Sequence, residues 1–110
     1  METNTFDKAK IYSLKSAVAY AEGAIVSKIV ARKEAGNITF FAFDNGQNLS
    51  EHSAPFDALV QIIEGEGIIR IGGEDFAPKE GEIIIMPANI PHAVEAQTAF
   101  KMLLTMLKSA

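Results

Sequence analysis

Turn-forming residues interrupt this chain about every 8–12 positions, and the pieces between them are short and rich in Ile, Val, Leu and Phe. Residues 24–33 and 38–43 are such pieces, separated by Ala35-Gly36-Asn37 and followed by Asp44-Asn45-Gly46. Residues 58–63 run into Glu64-Gly65-Glu66-Gly67, and residues 68–71 into the tight hairpin Gly72-Gly73-Glu74. Residues 75–77, 83–86 and 99–108 complete the series, with Pro78-Lys79-Glu80-Gly81 as a further turn. Short apolar runs between frequent turns cannot supply long helices. About eight to ten short strands in a sandwich or barrel are predicted. Before Gly23, residues 11–21 read as a short helix or an irregular segment, because helix propensity there is modest and the glycine stops it.

Hydrophobic residues make up 48% of the 110 positions and charged residues 22%, as in a folded globular chain. This length builds one core, so the expectation is an N-terminal segment, 1–23 and partly flexible, leading into one barrel domain, 24–110. The formal net charge is −4 and the 10 basic residues are scattered. Neither nucleic acid nor an anionic membrane is an expected partner. Cysteine is absent, which removes disulfides, thiolate nucleophiles, iron–sulfur clusters and Cys-bound zinc together. The chain's start lacks the basic and apolar stretches of a signal peptide, and no run approaches the ~18–20 apolar residues of a membrane span, so a cytoplasmic location is expected.

Several strands are apolar on both faces, among them residues 58–63 and 102–107. One face can fill a barrel; the other needs a second sheet, the N-terminal segment or another subunit, and a homodimer is expected.

There are 2 histidines, His52 and His92, so no site within one chain can use three. Their surroundings carry a pattern. Gly46 is followed by five residues and His52, then Ala54, Ala58 and Gly65; Gly81 is followed by five residues and Pro87, then Asn89, His92 and Ala96. This resembles the two motifs of the cupin family, over roughly residues 38–108, and most closely the small single-domain bacterial cupins. The resemblance implies an all-β, double-stranded β-helix (jelly-roll) barrel. In metal-binding cupins, two His and one Glu of the first motif and one His of the second hold a divalent metal inside the barrel. Here the second His position is Ala54 and the Glu position is Ala58, while the second motif's Gly and closing Asn are Asn89 and Ala96.

What the resemblance implies is therefore partial. His52 and His92 are the candidate catalytic and metal-binding residues, Asp57 and Gln61 are candidate additional ligands, and the cofactor is Fe, Mn, Ni, Zn, Cu or none. Three functions stay open: a metal-assisted isomerase, lyase or dioxygenase; a metal-free epimerase-like enzyme with Tyr12 or Tyr20 as partner acid; and a non-catalytic module binding or sensing a small organic molecule inside the barrel. The other notable residues have structural readings. Phe40, Phe41, Phe43, Phe56, Phe76 and Phe100, with Met86, Met102 and Met106, are core or pocket lining; Pro87 and Pro91 stiffen the loop before His92; Glu64, Glu66, Glu80 and Glu82 are solvated turn residues.

Overall fold

A computed structural model describes residues 6–108. The described residues form nine strands: β1 (Ile25–Lys33), β2 (Gly36–Phe43), β3 (Asn48–His52), β4 (Asp57–Glu64), β5 (Gly67–Ile71), β6 (Glu74–Phe76), β7 (Ile83–Met86), β8 (His92–Ala96) and β9 (Phe100–Leu107). They make a five-stranded sheet, β1-β2-β9-β4-β7, facing a four-stranded sheet, β3-β8-β5-β6, with every strand pair antiparallel. The all-β fold expected from the turn spacing forms, as the jelly roll that the resemblance implies. No helix occurs among the described residues, so none is long and apolar enough to cross a membrane.

Strict alternation sends one set of side chains inward. Phe43, Val60, Ile62, Ile69, Val94, Phe100 and Met102 form the interior cluster. Phe43 and Phe100 stack with centroids 4.7 Å apart and close one end of the barrel. Fully burying side chains of this size stabilises by roughly 1.5–3 kcal/mol each. The closure depends on a missing side chain, because a Cβ on Gly67 would sit 2.7 Å from the Phe100 ring.

The outer face of the five-stranded sheet is covered in part by the chain's own N-terminal segment. Phe6, Ala17 and Val18 pack on Phe40, Ala42 and Ile63 as a second buried cluster. Of the two sequence-based alternatives for residues 11–21, the irregular one forms, as turns and bends. Tertiary anchors override the modest helix propensity there. The buried Lys101 ammonium donates to the Lys15 carbonyl, lies over the Tyr20 ring at 4.9 Å and stands 3.8 Å from Glu64. Tyr20 Oη donates to Glu64 Oε2 at 2.7 Å. Burial and then Glu64 push the Tyr20 phenol above its ordinary range. Glu64 is thus an anchor rather than the solvated turn residue read from the sequence. The flexibility expected at the start of the chain falls partly on residues 1–5, outside those described.

Candidate functional site

The two histidines come from different sheet connections to one point. His52 ends β3, His92 begins β8, and the strands pair so that the two lie opposite each other. Leu49 pairs with Val94, so β3 carries one more residue than β8 before the histidines meet. This bulge decides the site. In a regular ladder Glu51 would oppose His92; the extra residue leaves Glu51 exposed and turns His52 to the side of His92. His92 alternates with Val94 and Ala96, both interior residues, so the pair faces the barrel interior. The rings lie edge to face, with centroids 4.5 Å apart and planes at 70°. His92 is 5% exposed, and His52 sits at the exposed rim.

Each ring is oriented by backbone. His52 Nδ1 lies 2.9 Å from the Ser50 carbonyl oxygen, and His92 Nδ1 lies 3.3 Å from that of Ile90. A carbonyl only accepts, so each Nδ1 carries the hydrogen and each Nε2 keeps its lone pair. Desolvation, and then the neighbouring His52, hold the His92 pKa below the ordinary histidine value, against the pull of the Ile90 carbonyl. In the neutral form such a pair has two lone pairs to offer.

Two rows of inward residues bound this end of the barrel. In the four-stranded sheet the row is His52, His92, Ile71; in the five-stranded sheet it is Asn37, Met106, Ala58, Met86. Residues 53–56 join the rows from His52 toward Ala58, and residues 87–91 join them from Met86 to His92. Asn89 N–H donates to the Ala54 carbonyl at 2.7 Å and ties the two connections together. Phe41, Ile71 and Leu104 are half-buried here and pack against the interior cluster. Asn37 Oδ1 is buried with no hydrogen-bond partner among the described residues.

The other sequence candidates go elsewhere. Asp57 Oδ1 accepts the Ala88 N–H at 2.9 Å, so this carboxylate holds the loop before His92 rather than joining the pair. Gln61 lies on the outer face of β4, opposite in alternation to Val60 and Ile62. Tyr12 lies in the outer cluster, where its hydroxyl accepts the Asp7 N–H, and Tyr20 binds Glu64 at the far end of β4 from Ala58. No group of three or more His, Asp or Glu suited to a metal occurs among the described residues. Sequence reasoning missed Asn37, read as part of a turn, and the place of Met86 and Met106 beside Ala58. Strand alternation was the available signal for all three.

Two recesses lie away from the histidines. One of about 760 Å³ is at the closed end, lined by turn residues that include Glu66, Lys79, Glu80 and Thr98. The other, about 400 Å³, is on the outer face of the four-stranded sheet, where Arg70 bridges Asp75 and Glu95 at 2.7 and 2.9 Å. In the first, Glu80 and Thr98 accept turn hydrogen bonds; in the second, Arg70 is held in exposed ion pairs, which contribute about 0–1 kcal/mol.

Comparison with known proteins agrees with this fold. The profile of the cupin domain matches residues 39–107. The chain belongs to the cupin family. This cupin is similar in structure to a conserved protein of unknown function from Streptococcus pyogenes, with TM-score 0.91 and 37% identity over 98% of this chain and 94% of that one. It is similar to a cupin 2 conserved barrel domain protein from Leptotrichia buccalis, with TM-score 0.85 and 47% identity over 88% of this chain; it spans 47% of that protein. A cupin superfamily protein from Desulfitobacterium hafniense has TM-score 0.89 and 25% identity, with 97% of each chain covered. No curated protein matches the chain.

Proposed function

We propose that this cupin binds a small organic molecule in the open end of its barrel. The molecule presents O–H or N–H donors to Nε2 of His52 and Nε2 of His92. One observation carries the reading: both Nδ1 atoms face backbone carbonyls, which leaves two adjacent lone pairs on one inward face. Asn37 Oδ1, buried without a hydrogen-bond partner among the described residues, lies on the facing sheet at this end. Acceptors over half-buried Phe41, Ile71 and Leu104 suit a ligand with an apolar body and a donor-bearing end.

The divalent metal implied by family resemblance fits this donor set only in part. Two imidazoles suit Fe, Mn, Ni, Zn or Cu, but Ala54 and Ala58 offer no donor, Asp57 is committed to Ala88, and Gln61 faces outward. The epimerase-like reading lacks its partner acid, because Tyr12 and Tyr20 sit on the outer face and at the far end. A second reading keeps an enzyme in view. A neutral Nε2 is a base, so a bound molecule with an acidic C–H or O–H could pass a proton to it. The cysteine-free sequence is in keeping with a cytoplasmic setting, where disulfides are rare.

The test is a ligand screen by thermal shift and ligand-observed NMR on tag-free, metal-free protein, using polyols, amines and hydroxy acids. His52→Ala and His92→Ala are screened alongside, and hits are followed for turnover. A ligand at about 100 times its Kd stabilises the fold by about 2.7 kcal/mol, which raises Tm by several degrees. Hits lost in both variants support the reading. Hits that bind both variants as well as the parent overturn it.

A further inference from the structure

A second β-bulge sets the face of a charged residue at the same end of the barrel. In β1, Ile25, Ser27 and Ile29 pair with Phe43, Phe41 and Thr39 and share their inward side. The register then shifts between Ile29 and Ala31, and Val30 packs in the outer cluster. Unbroken alternation would put Arg32 on that outer side with Val30. The bulge pairs Arg32 with Asn37 instead, on the inward side that Asn37 shares with Met106 and Ala58.

The end of β9 brings a second cation. Asn37 pairs with Met106 and Gly36 with Leu107, and the Lys108 N–H donates to the Ala35 carbonyl at 2.9 Å, which carries the pairing one residue further. Lys108 therefore continues the alternation of Leu104 and Met106, which pack against the interior cluster. Its ammonium lies 5.4 Å from the centre of the Phe56 ring, in the connection that leaves His52. Residues directly opposite on paired strands have Cβ atoms about 4.5–5.5 Å apart, and diagonal ones stay within reach of long side chains. Arg32 is opposite Asn37, and Lys108 is diagonal to it. Neither cation has an ion-pair partner among the described residues. Of the carboxylates nearby, Asp57 is bound to the Ala88 N–H and Glu34 is exposed in the turn.

A guanidinium matches a carboxylate through two parallel N–H···O bonds. The Asn37 Oδ1, buried without a partner among the described residues, costs free energy until a donor reaches it. A carboxylate with an O–H or N–H on its neighbouring carbon answers both needs. We propose that the open end takes a small 2-hydroxy or 2-amino carboxylate, its carboxylate held by Arg32 and Lys108 and its 2-substituent donating to Asn37 Oδ1. The inference rests on the ligand reading and names the class of molecule; donors elsewhere on the molecule are left for the two histidines.

The probes are 2-hydroxy and 2-amino acids with hydroxyalkyl or hydroxyphenyl side chains. Each is compared with its carboxamide, which lacks the charge, and with its 2-deoxy acid, which lacks the donor. Affinities are measured by calorimetry on tag-free, metal-free parent, Arg32→Gln, Lys108→Gln, Asn37→Leu, His52→Ala and His92→Ala, with circular dichroism as the check of folding. The parent should bind at least one acid about tenfold or more tighter than its carboxamide, since a charge-assisted hydrogen bond is among the stronger ones. Arg32→Gln should erase that preference, and Lys108→Gln should reduce it. Asn37→Leu should erase the preference for the acid over its 2-deoxy form. A parent that binds none of the acids, or that binds acids and carboxamides alike, overturns the inference, as does a preference unchanged in Arg32→Gln. The ligand reading fails separately. Carboxamides and acids that bind alike but are lost in both histidine variants overturn the inference and keep that reading. An acid preference that needs Arg32 and is untouched in both histidine variants supports the inference and removes the role given to the histidines.

Discussion

His92 shows how one buried side chain links solvent pH to folding. Desolvation and the neighbouring His52 hold its pKa below the ordinary histidine value of about 6.5. Below that value the unfolded chain binds a proton that the folded chain refuses. Stability is therefore present above the ordinary value and declines as pH falls toward the depressed one. Metal-free protein is expected to need less urea to unfold at about pH 5 than at about pH 7.5, with the drop reduced in His92→Asn. An equal drop in parent and variant would assign the effect to other groups. Long-range ¹H–¹⁵N NMR at neutral pH should report the Nδ1–H tautomer for both rings, and an Nε2–H tautomer at either would remove the acceptor pair. Both histidines stood out in the sequence as candidates. Their tautomers did not, because these depend on the Ser50 and Ile90 carbonyls, which only the folded backbone brings to Nδ1.

At the scale of elements, the loop between β7 and β8 carries the site. Its motif position, glycine in the family pattern, holds Asn89, and the structure explains the exchange. Asn89 has φ of 67°, in the left-handed region that glycine tolerates and asparagine enters more readily than other residues. Asn89→Gly is expected to leave stability within about 0.5 kcal/mol. Asn89→Val should cost about 1–2 kcal/mol in urea unfolding. Equal stability of the two variants would show that the backbone conformation at 89 is not what holds the loop. The strands that carry the histidines were the ones the sequence concealed. Asn48-Leu49-Ser50-Glu51-His52 has one apolar residue in five, and its pairing with β8 contains a bulge that breaks the alternation rule. Residues 92–96 are short and mostly small. The long strands β2, β4 and β9 of the five-stranded sheet, rich in Phe, Leu, Ile and Met, were legible because both of their faces are largely apolar.

At the scale of the molecule, the question is what covers the outer face of the five-stranded sheet. The N-terminal segment covers the part around Phe40, Ala42 and Ile63. The edge strand β7 is left with Ile83 and Ile85 at 59% and 57% exposure, and Leu107 is also exposed. An apolar edge strand invites a partner strand or sheet. A homodimer across β7 is the expected outcome. Sedimentation should give twice the chain mass for the parent, and one chain mass for Ile83→Lys/Ile85→Lys with its circular dichroism intact. A monomeric parent, or a lysine variant that stays dimeric, would remove this surface from consideration. The sequence by itself determined the class of fold. Turn spacing and two-residue alternation are local properties, and they dictate short strands with a buried inner face whatever the neighbours are. The two histidines and the two alanines were equally plain, because identity and spacing need no coordinates. Only the tertiary structure decided the character of the site. Bringing Met86 and Met106 beside Ala58, turning His52 inward through a bulge, and sending Asp57 to Ala88 are consequences of pairing between strands far apart in the chain. Such pairings are set by the packing of the whole barrel and leave no mark on any single segment.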